Sequence, residues 1–487
     1  MLGWLPSAIK NQQSKINKMS MYVGQEVLLD IEKPVLGGHG LARVDGRAVF
    51  VEGSLPGERL RARVTAFKSR YAWAESLQIL VQSPDFTPPK CSHFGLCGGC
   101  DWLHMDYGRQ LHWKRELVCE TLRHLGGIEA QIAPTIPSPV IDGYRNKMEF
   151  AFAPPVVAQR GHTEAKAFVL GLRPREQALH AVAIDSCRLC LSEMWDARRI
   201  IEEWALESGL PAYDPQTGQG FWRHAVLRCG YPASDITAIV ITAHHPQGRD
   251  IGPRLVTHLK QHIPSISALI HEERLSRSLL ALGEKTIARI GSGESKHCLG
   301  NLELTVSSRS FFQSNTSAAQ KLYATIRDLA GLSGRETVWD LYCGVGGIAL
   351  SLAKDSGRVL GLESTPQAVQ DARDNAGRNH LAQCSFLQGD VAKTLKRLAR
   401  LDSPGSSFPC PDVIVANPPR VGLQREVVDR LLDIKAPKLI LVSCNPATLA
   451  RDVKLLSPDY IVRRVQPVDM FPHTSHIECV VELVFQS

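Results

Sequence analysis

Residues 337–354 read TVWDLYCGVGGIALSLAK, and the interpretation of the C-terminal half of the chain turns on them. The run 337–343 is short, apolar and rich in β-branched and aromatic residues, which predicts a buried strand. Gly344, Gly346 and Gly347 follow at once, and the apolar spacing after them is helical. A strand that opens through glycines into a helix lets a ligand approach the backbone at the carboxyl edge of a sheet. No GK[ST] follows the glycines, so the turn is not a P-loop for a nucleoside triphosphate.

The same strand–helix unit recurs downstream. RVLGLE (358–363) precedes TPQAVQDARDNAGRN (365–379), where Thr365 suits a helix cap and Pro366 a first turn. CSFLQGD (384–390) precedes VAKTLKRLAR, DVIVANPP (412–419) precedes REVVDRLLDI, and KLILVSC (438–444) precedes ATLARDVKLL. YIVRRVQPVDMF and HIECVVELVF finish the chain as an expected antiparallel pair. This alternation predicts an α/β, Rossmann-like domain with a parallel sheet covered on both faces. The strand tips carry chemistry. Glu363 closes the second strand, where a carboxylate can accept both hydroxyls of a ribose. Asp390 closes the third, near where an adenine amino group could donate, and Asn417-Pro418-Pro419-Arg420 closes the fourth. The second tip fits a dinucleotide or S-adenosylmethionine; the third and fourth, with the antiparallel finish, favour S-adenosylmethionine. Asn-Pro-Pro also occurs in amino-group methyltransferases with an aromatic residue next, and Arg420 supplies no such ring.

Upstream, residues 22–82 alternate apolar and polar side chains between close turns, which predicts an OB-like β-barrel. Arg59, Arg61, Arg63, Phe67, Lys68, Arg70, Tyr71 and Trp73 interleave cations with rings, a pattern that can track phosphates and stack bases. The linker SPDFTPPK leads to CSHFGLCGGC (91–100) and a helical stretch, YGRQLHWKRELVCETLRHLG, ending at Gly126-Gly127. Residues 140–310 read as mixed α/β without a strand order. Cys91, Cys97 and Cys100 have the spacing C-x5-C-x2-C. With a fourth thiolate they could bind zinc or an iron–sulfur cluster, and the spacing does not choose.

The bulk composition sets limits. The chain has 487 residues, 44% hydrophobic and 22% charged, which is ordinary for a globular protein of several domains. A net charge of +7 is compatible with nucleic acid. No apolar run approaches the roughly 20 residues that span a bilayer. Residues 1–20 lack the apolar stretch of a secretory signal and have no arginine, a poor fit to a transit peptide. They read as a flexible extension or an artefact of start-site choice. Thirteen cysteines, an odd number, argue against a full disulfide framework.

DLYCGVGGIAL, NPPRVGL, SCNPATLARD and FPHTSHIECVVEL, in that order, resemble the RNA uracil-5-methyltransferase family. CSHFGLCGGC and a barrel similar to a TRAM domain match its larger members that act on ribosomal RNA. The resemblance runs over about residues 22–487. It implies methylation of carbon 5 of a uridine, with 23S rRNA the expected substrate and tRNA second. It implies Cys444 as nucleophile toward carbon 6 and Glu478 as the base that removes the carbon-5 proton. His473 and His476, in the loop before Glu478, read equally as packing. Gln313, Tyr342, Gly347, Glu363, Asp390 and Asn417 occupy cofactor-contact positions. The family more often has Asp at 417, so any ionic role there is in doubt, and Gly347 could contact only through backbone. The resemblance also implies a 4Fe-4S cluster held by Cys91, Cys97, Cys100 and Cys187, with Cys190 the rival fourth ligand. The expected domains are 1–20 extension, 21–83 RNA-binding barrel, 84–305 iron–sulfur and RNA-recognition region, and 306–487 catalytic domain. A cytoplasmic monomer without membrane or DNA partners is expected. Two other readings are amino-methylation of adenine and an RNA-binding folding factor with a relic sheet; retention of Cys444, Glu478 and the tips together argues against the relic.

Overall fold

A computed structural model describes residues 21–156, 167–175, 177–232, 235–246, 250–399 and 409–486. The extension at 1–20, and all but the last residue of the Ser/Pro tract 401–409, lie outside the described residues. The chain divides into two compact units, Met1–Val35 with His39–Asp85 and Leu36–Gly38 with Phe86–Ser487.

The first unit is β-rich. Its strands β1 (Glu26–Asp30), β2 (Lys33–Pro34), β3 (His39–Val44), β4 (Arg47–Glu52), β5 (Arg59–Phe67) and β6 (Tyr71–Val81) form one sheet in the order β1-β5-β6-β4-β3-β2. Alternation decides which side chains go inside. On β5, Leu60, Ala62 and Val64 are buried with Leu29, Val49 and Val51, while Arg59, Arg61 and Arg63 point outward. The expected basic edge is thereby qualified. Arg59 faces Asp30, Arg61 faces Glu26, and Arg63 faces both Glu26 and Glu75, so acids partly balance these cations. Phe50, Tyr71 and Trp73 form a separate ring cluster, with Lys68 over Tyr71.

The second unit begins with helix α1 (Tyr107–Thr121), which ends through a wider turn at Leu122–Gly126. A mixed sheet follows from β7 (Lys147–Ala153), β8 (Val169–Gly171), β9 (Trp222–Cys229), β10 (Ile236–Thr242), β11 (Ile266–Glu273) and β12 (Lys285–Ile290). Its order is β12-β11-β10-β9-β7-β8, with helices α2 (Ser192–Glu207) and α3 (Ile251–His262) packed on it. A hairpin of β13 (Glu294–Leu299) and β14 (Leu302–Ser307) leads through α4 (Thr316–Ala330) into the C-terminal sheet.

That sheet alternates as the sequence predicts: β15 (Thr337–Leu341), α5 (Gly347–Ala353), β16 (Arg358–Glu363), α6 (Pro366–Arg378), β17 (Cys384–Gln388), α7 (Val391–Ala399), β18 (Val413–Ala416), α8 (Arg425–Ile434), β19 (Lys438–Ser443), α9 (Pro446–Leu456), β20 (Tyr460–Val468) and β21 (Glu478–Phe485). The strand order is β17-β16-β15-β18-β19-β21-β20, parallel except where β21 enters antiparallel to both neighbours. Val338, Leu341, Val359, Leu362, Val415, Ile440 and Val442 have no more than 1% exposure, because helices cover both faces. Thr365 stands at the expected cap of α6, but its side chain makes no capping hydrogen bond, and Pro366 begins the helix. Among the described residues no helix is long and apolar enough to cross a membrane.

Gly361, inside β16, marks a close approach. A Cβ there would stand 2.5 Å from Phe386 Cδ1 and 2.8 Å from Cys343 Sγ. Gly361→Ala is therefore expected to cost about 1–3 kcal/mol in urea unfolding, the usual range for overpacking. An unchanged midpoint would contradict this packing.

Candidate functional site

The register of the last strand assembles the site. In the antiparallel pair β19–β21, Ser443 stands opposite Cys479. Cys444 is the next residue after β19 and Glu478 the first of β21, and the Glu478 charge acts on the Cys444 thiol. Cys444 lies where β19 opens into α9. Asn445 caps that helix by accepting from the Ala447 N–H at 3.1 Å, and Pro446 occupies its first turn. Glu478 is buried, with 3% exposure. Burial pushes its carboxyl up to about 8, and the Arg420 guanidinium holds it back. Burial and the Glu478 charge push the Cys444 thiol up, while Arg420, hydrogen-bonded to the thiol, opposes them. Arg420 belongs to the loop after β18. Asn445 Nδ2 and Thr448 Oγ1 donate to its carbonyl at 3.3 and 3.4 Å. Sequence reasoning valued Arg420 only as a missing aromatic ring; its position beside the thiol needed the adjacency of β18 and β19. A thiol, a carboxyl poised near neutrality and a guanidinium thus face one another. That set can add a nucleophile and remove a proton.

The strand tips form the neighbouring wall. Tyr342 follows β15 in left-handed backbone (φ 63°), a conformation uncommon outside glycine, and Gly344 and Gly346 continue the turn with φ 55° and 86°. Asp340 Oδ2 ties this turn to α5 by accepting from the Ala349 N–H at 2.9 Å. Glu363 is fixed at the end of β16: Oε2 accepts from the Gly344 N–H at 3.2 Å, and Oε1 from the Thr365 N–H at 2.8 Å. Asp390 Oδ1 accepts from the Lys393 N–H at 3.0 Å, and its charge helps to push the Tyr342 phenol up to about 12, burial being the larger cause. The Asn417 N–H donates to the Leu341 carbonyl at 3.3 Å. These tips sit at the carboxyl ends of β17, β16, β15 and β18, and the strand order reverses between β15 and β18, the ligand-binding point of open α/β sheets. Gly347 has a packing reason of its own, since a Cβ there would lie 2.7 Å from Tyr323 Oη.

Gln313 occupies a different wall. Its carbonyl accepts from Asn146 Nδ2 at 2.8 Å, and the residue lines a cavity of about 480 Å³ together with Cys91, Cys97, Cys100, Cys187, Arg145 and Phe311. Burial pushes the Cys97 and Cys100 thiols up to about 11 and about 12, and the charge of Cys187 adds to both. Cys190 is buried in the apolar core with Met148, Phe150 and Met194, and the half-buried Cys187 packs against the same core. Among the described residues there is no group of three or more His, Cys, Asp or Glu side chains that could hold a metal ion.

The comparisons with known proteins bear on both units. The family model "TRAM domain" matches residues 21–77, and "tRNA (Uracil-5-)-methyltransferase" matches 301–485. An uncharacterized RNA methyltransferase of Nitratidesulfovibrio vulgaris is 39% identical over 94% of this chain and 95% of its own length. One from Halalkalibacterium halodurans is 34% identical over 98% of this chain and 99% of its own. The crystal structure of the Pyrococcus abyssi tRNA (uracil-54, C5)-methyltransferase in complex with S-adenosyl-L-homocysteine is similar with a TM-score of 0.72. It is 27% identical, over 94% of this chain and 99% of that one. With a TRAM domain ahead of a methyltransferase sheet and these relatives along its length, the chain belongs to the S-adenosylmethionine-dependent RNA uracil-5-methyltransferase family.

Proposed function

We propose that this protein methylates carbon 5 of a uridine in 23S rRNA through a covalent adduct between Cys444 and carbon 6 of the base. The observation that carries the reading is that Cys444, just past the end of β19, and Glu478, at the start of β21, lie close enough for charge to couple them, with Arg420 acting on both. Carbon 5 of uracil is too weak a nucleophile to take a methyl group unaided. The Cys444 thiolate adds to carbon 6, and the electrons of the ring double bond move into an enolate. Carbon 5 then attacks the methyl of S-adenosylmethionine, whose carbon–sulfur bond breaks to leave S-adenosylhomocysteine. Glu478 takes the proton from carbon 5. The freed pair rebuilds the double bond to carbon 6 and expels the thiolate. Glu363, Tyr342, Gly347, Asp390 and Asn417 are assigned to the methyl donor at the sheet edge, and Gln313 to its far side. The region 84–305 is assigned to RNA recognition and 306–487 to catalysis, in the cytoplasm. The base must leave its stack to meet both groups, at a cost of a few kcal/mol that is least in a loop or bulge.

Transfer RNA is the second reading, because the solved relative acts on it with the two chains aligned nearly end to end. That match also means that the domain layout does not separate the two substrates. Mapping 5-methyluridine in 23S rRNA and tRNA from cells with and without the protein decides between them. Label on adenine would favour amino-methylation.

The four cysteines do not form a ready metal-binding group among the described residues, but they line one cavity, and this supports their assignment to a 4Fe-4S cluster, with Cys187 preferred because it lines that cavity with Cys91, Cys97 and Cys100. Uracil methylation needs no electron transfer, so the cluster would supply a structural tie among these loops. Oxygen-free purification should yield iron and sulfide with a visible absorption band that Cys187→Ser abolishes and Cys190→Ser keeps. Zinc in its place would overturn the assignment.

Cys444→Ala should lower turnover by about 10⁴–10⁶-fold, the range spanned when single members of a covalent catalytic unit are removed. Glu478→Gln should accumulate protein covalently bound to methylated RNA; free turnover by that variant would count against the base. Because only the carboxylate of Glu478 can take the proton, wild-type turnover should rise with pH through about 8.

Stability should move the other way. The folded carboxyl holds its proton up to about 8, whereas the unfolded one loses it near 4.5. Between those values the folded state binds more protons, so wild-type stability falls as pH rises. The melting temperature of Glu478→Gln relative to wild type should therefore climb across that window; a constant difference would contradict the buried, protonated carboxyl.

A further inference from the structure

We propose that Asp101, Gln110 and Lys114 are positioning residues for Glu478, clamping residues 469–476 so that the carboxylate meets carbon 5 after methyl transfer. This rests on the reading of Glu478 as the base. None of the three belongs to the C-terminal sheet; they lie 374, 363 and 355 residues from the groups they hold, in the loop 101–106 and on α1.

Between β20 and β21 the chain is held from outside at nearly every step. Lys114 Nζ donates to Asp469 Oδ1 at 2.5 Å and to the Phe471 carbonyl at 3.1 Å. Tyr107 donates to Asp469 Oδ2 at 2.9 Å, and Tyr144 to the Pro472 carbonyl at 3.2 Å. The His473 N–H donates to Gln110 Oε1 at 2.9 Å, while the N–H groups of Asp101 and Trp102 both donate to the His473 carbonyl at 3.0 Å. Asp101 Oδ2 then accepts from the Ser475 N–H at 3.2 Å and from its hydroxyl at 2.8 Å. The side chains of Lys114 and Asp469 have no exposure, and Gln110 has none.

His473 shows why the clamp is needed. Its φ of 66° is left-handed, which a side chain with a Cβ disfavours, and such a conformation persists only where the surroundings over-determine it. Here its N–H and its carbonyl are both gripped, five residues before Glu478. Burying an ion pair such as Lys114–Asp469 adds little net stability, and its best-attested use is to specify one arrangement over others. Freed from the clamp, the loop would relax at His473 and shift the start of β21. The Cys444 thiol, on the loop after β19, would keep its place.

Two RNAs separate these steps in single-turnover assays with labelled methyl donor. Uridine RNA needs attack, methyl transfer and proton removal. In 5-fluorouridine RNA the fluorine cannot be removed as a proton, so the trapped adduct reports attack and methyl transfer alone. Gln110→Leu and Asp101→Ala should each lower release of methylated uridine RNA by about tenfold to a hundredfold, with the adduct persisting, while 5-fluorouridine trapping changes by less than about twofold. Asp101→Asn, which keeps an acceptor for Ser475, should recover most of the loss. The proposal is overturned if both RNAs lose rate in parallel, as for a variant that misfolds or a merely structural role, or if neither changes. Glu478→Gln separates the two levels. If it releases product freely, the base assignment fails; if it accumulates adduct while the Asp101 and Gln110 variants behave as wild type, only the positioning role fails.

Discussion

The antiparallel pairing of β21 with β19 is the constraint on which the rest depends. The five parallel strands alone would end the sheet at β19. Instead β21 inserts between β19 and β20 and runs the other way, so its first residue arrives where β19 ends. A slip of one residue would turn every side chain of β21 to the opposite face. Cys479, Val480 and Val481 are wholly buried, so covered faces on both sides of the sheet hold the register. The packing that stabilises the sheet is thus the same packing that sets thiol against carboxyl.

That opposition has an electrostatic cost, and the neighbouring loop offsets it. A buried carboxyl and a half-buried thiol beside it each favour the neutral form of the other. Arg420 is drawn into the gap by the turn after β18, with its carbonyl tied to the start of α9. Its charge holds both the Cys444 thiol and the Glu478 carboxyl lower than burial alone would leave them. The thiol and the carboxyl are therefore both shifted by one guanidinium.

Much of the C-terminal half was legible because strands buried on both faces are continuous apolar runs, and each is followed by a turn and a 3.6-residue periodicity. Glu363 and Asp390 could be placed from their positions at run ends. Other features depended on distance. The mixed sheet from β7 to β12 has apolar runs, but a run names a strand and not its neighbours. Lys114 sits in a polar-looking helix, yet it is fully buried, because its partner Asp469 lies 355 residues away. The arginines of β5 read as part of a pattern that can track phosphates; the acids that face them come from other strands. Gly347 read as a cofactor position, and only the fold shows the Tyr323 hydroxyl occupying the space of its missing Cβ.

The most direct test is the titration of the Cys444 thiol itself, followed by its alkylation rate against pH in wild type and in Glu478→Gln. Above about pH 8 the wild-type carboxyl is charged and resists formation of a second negative charge opposite it. Removing that charge should shift the alkylation curve to lower pH. Superimposable curves would mean that the two groups do not face each other, and the account of the site would fall.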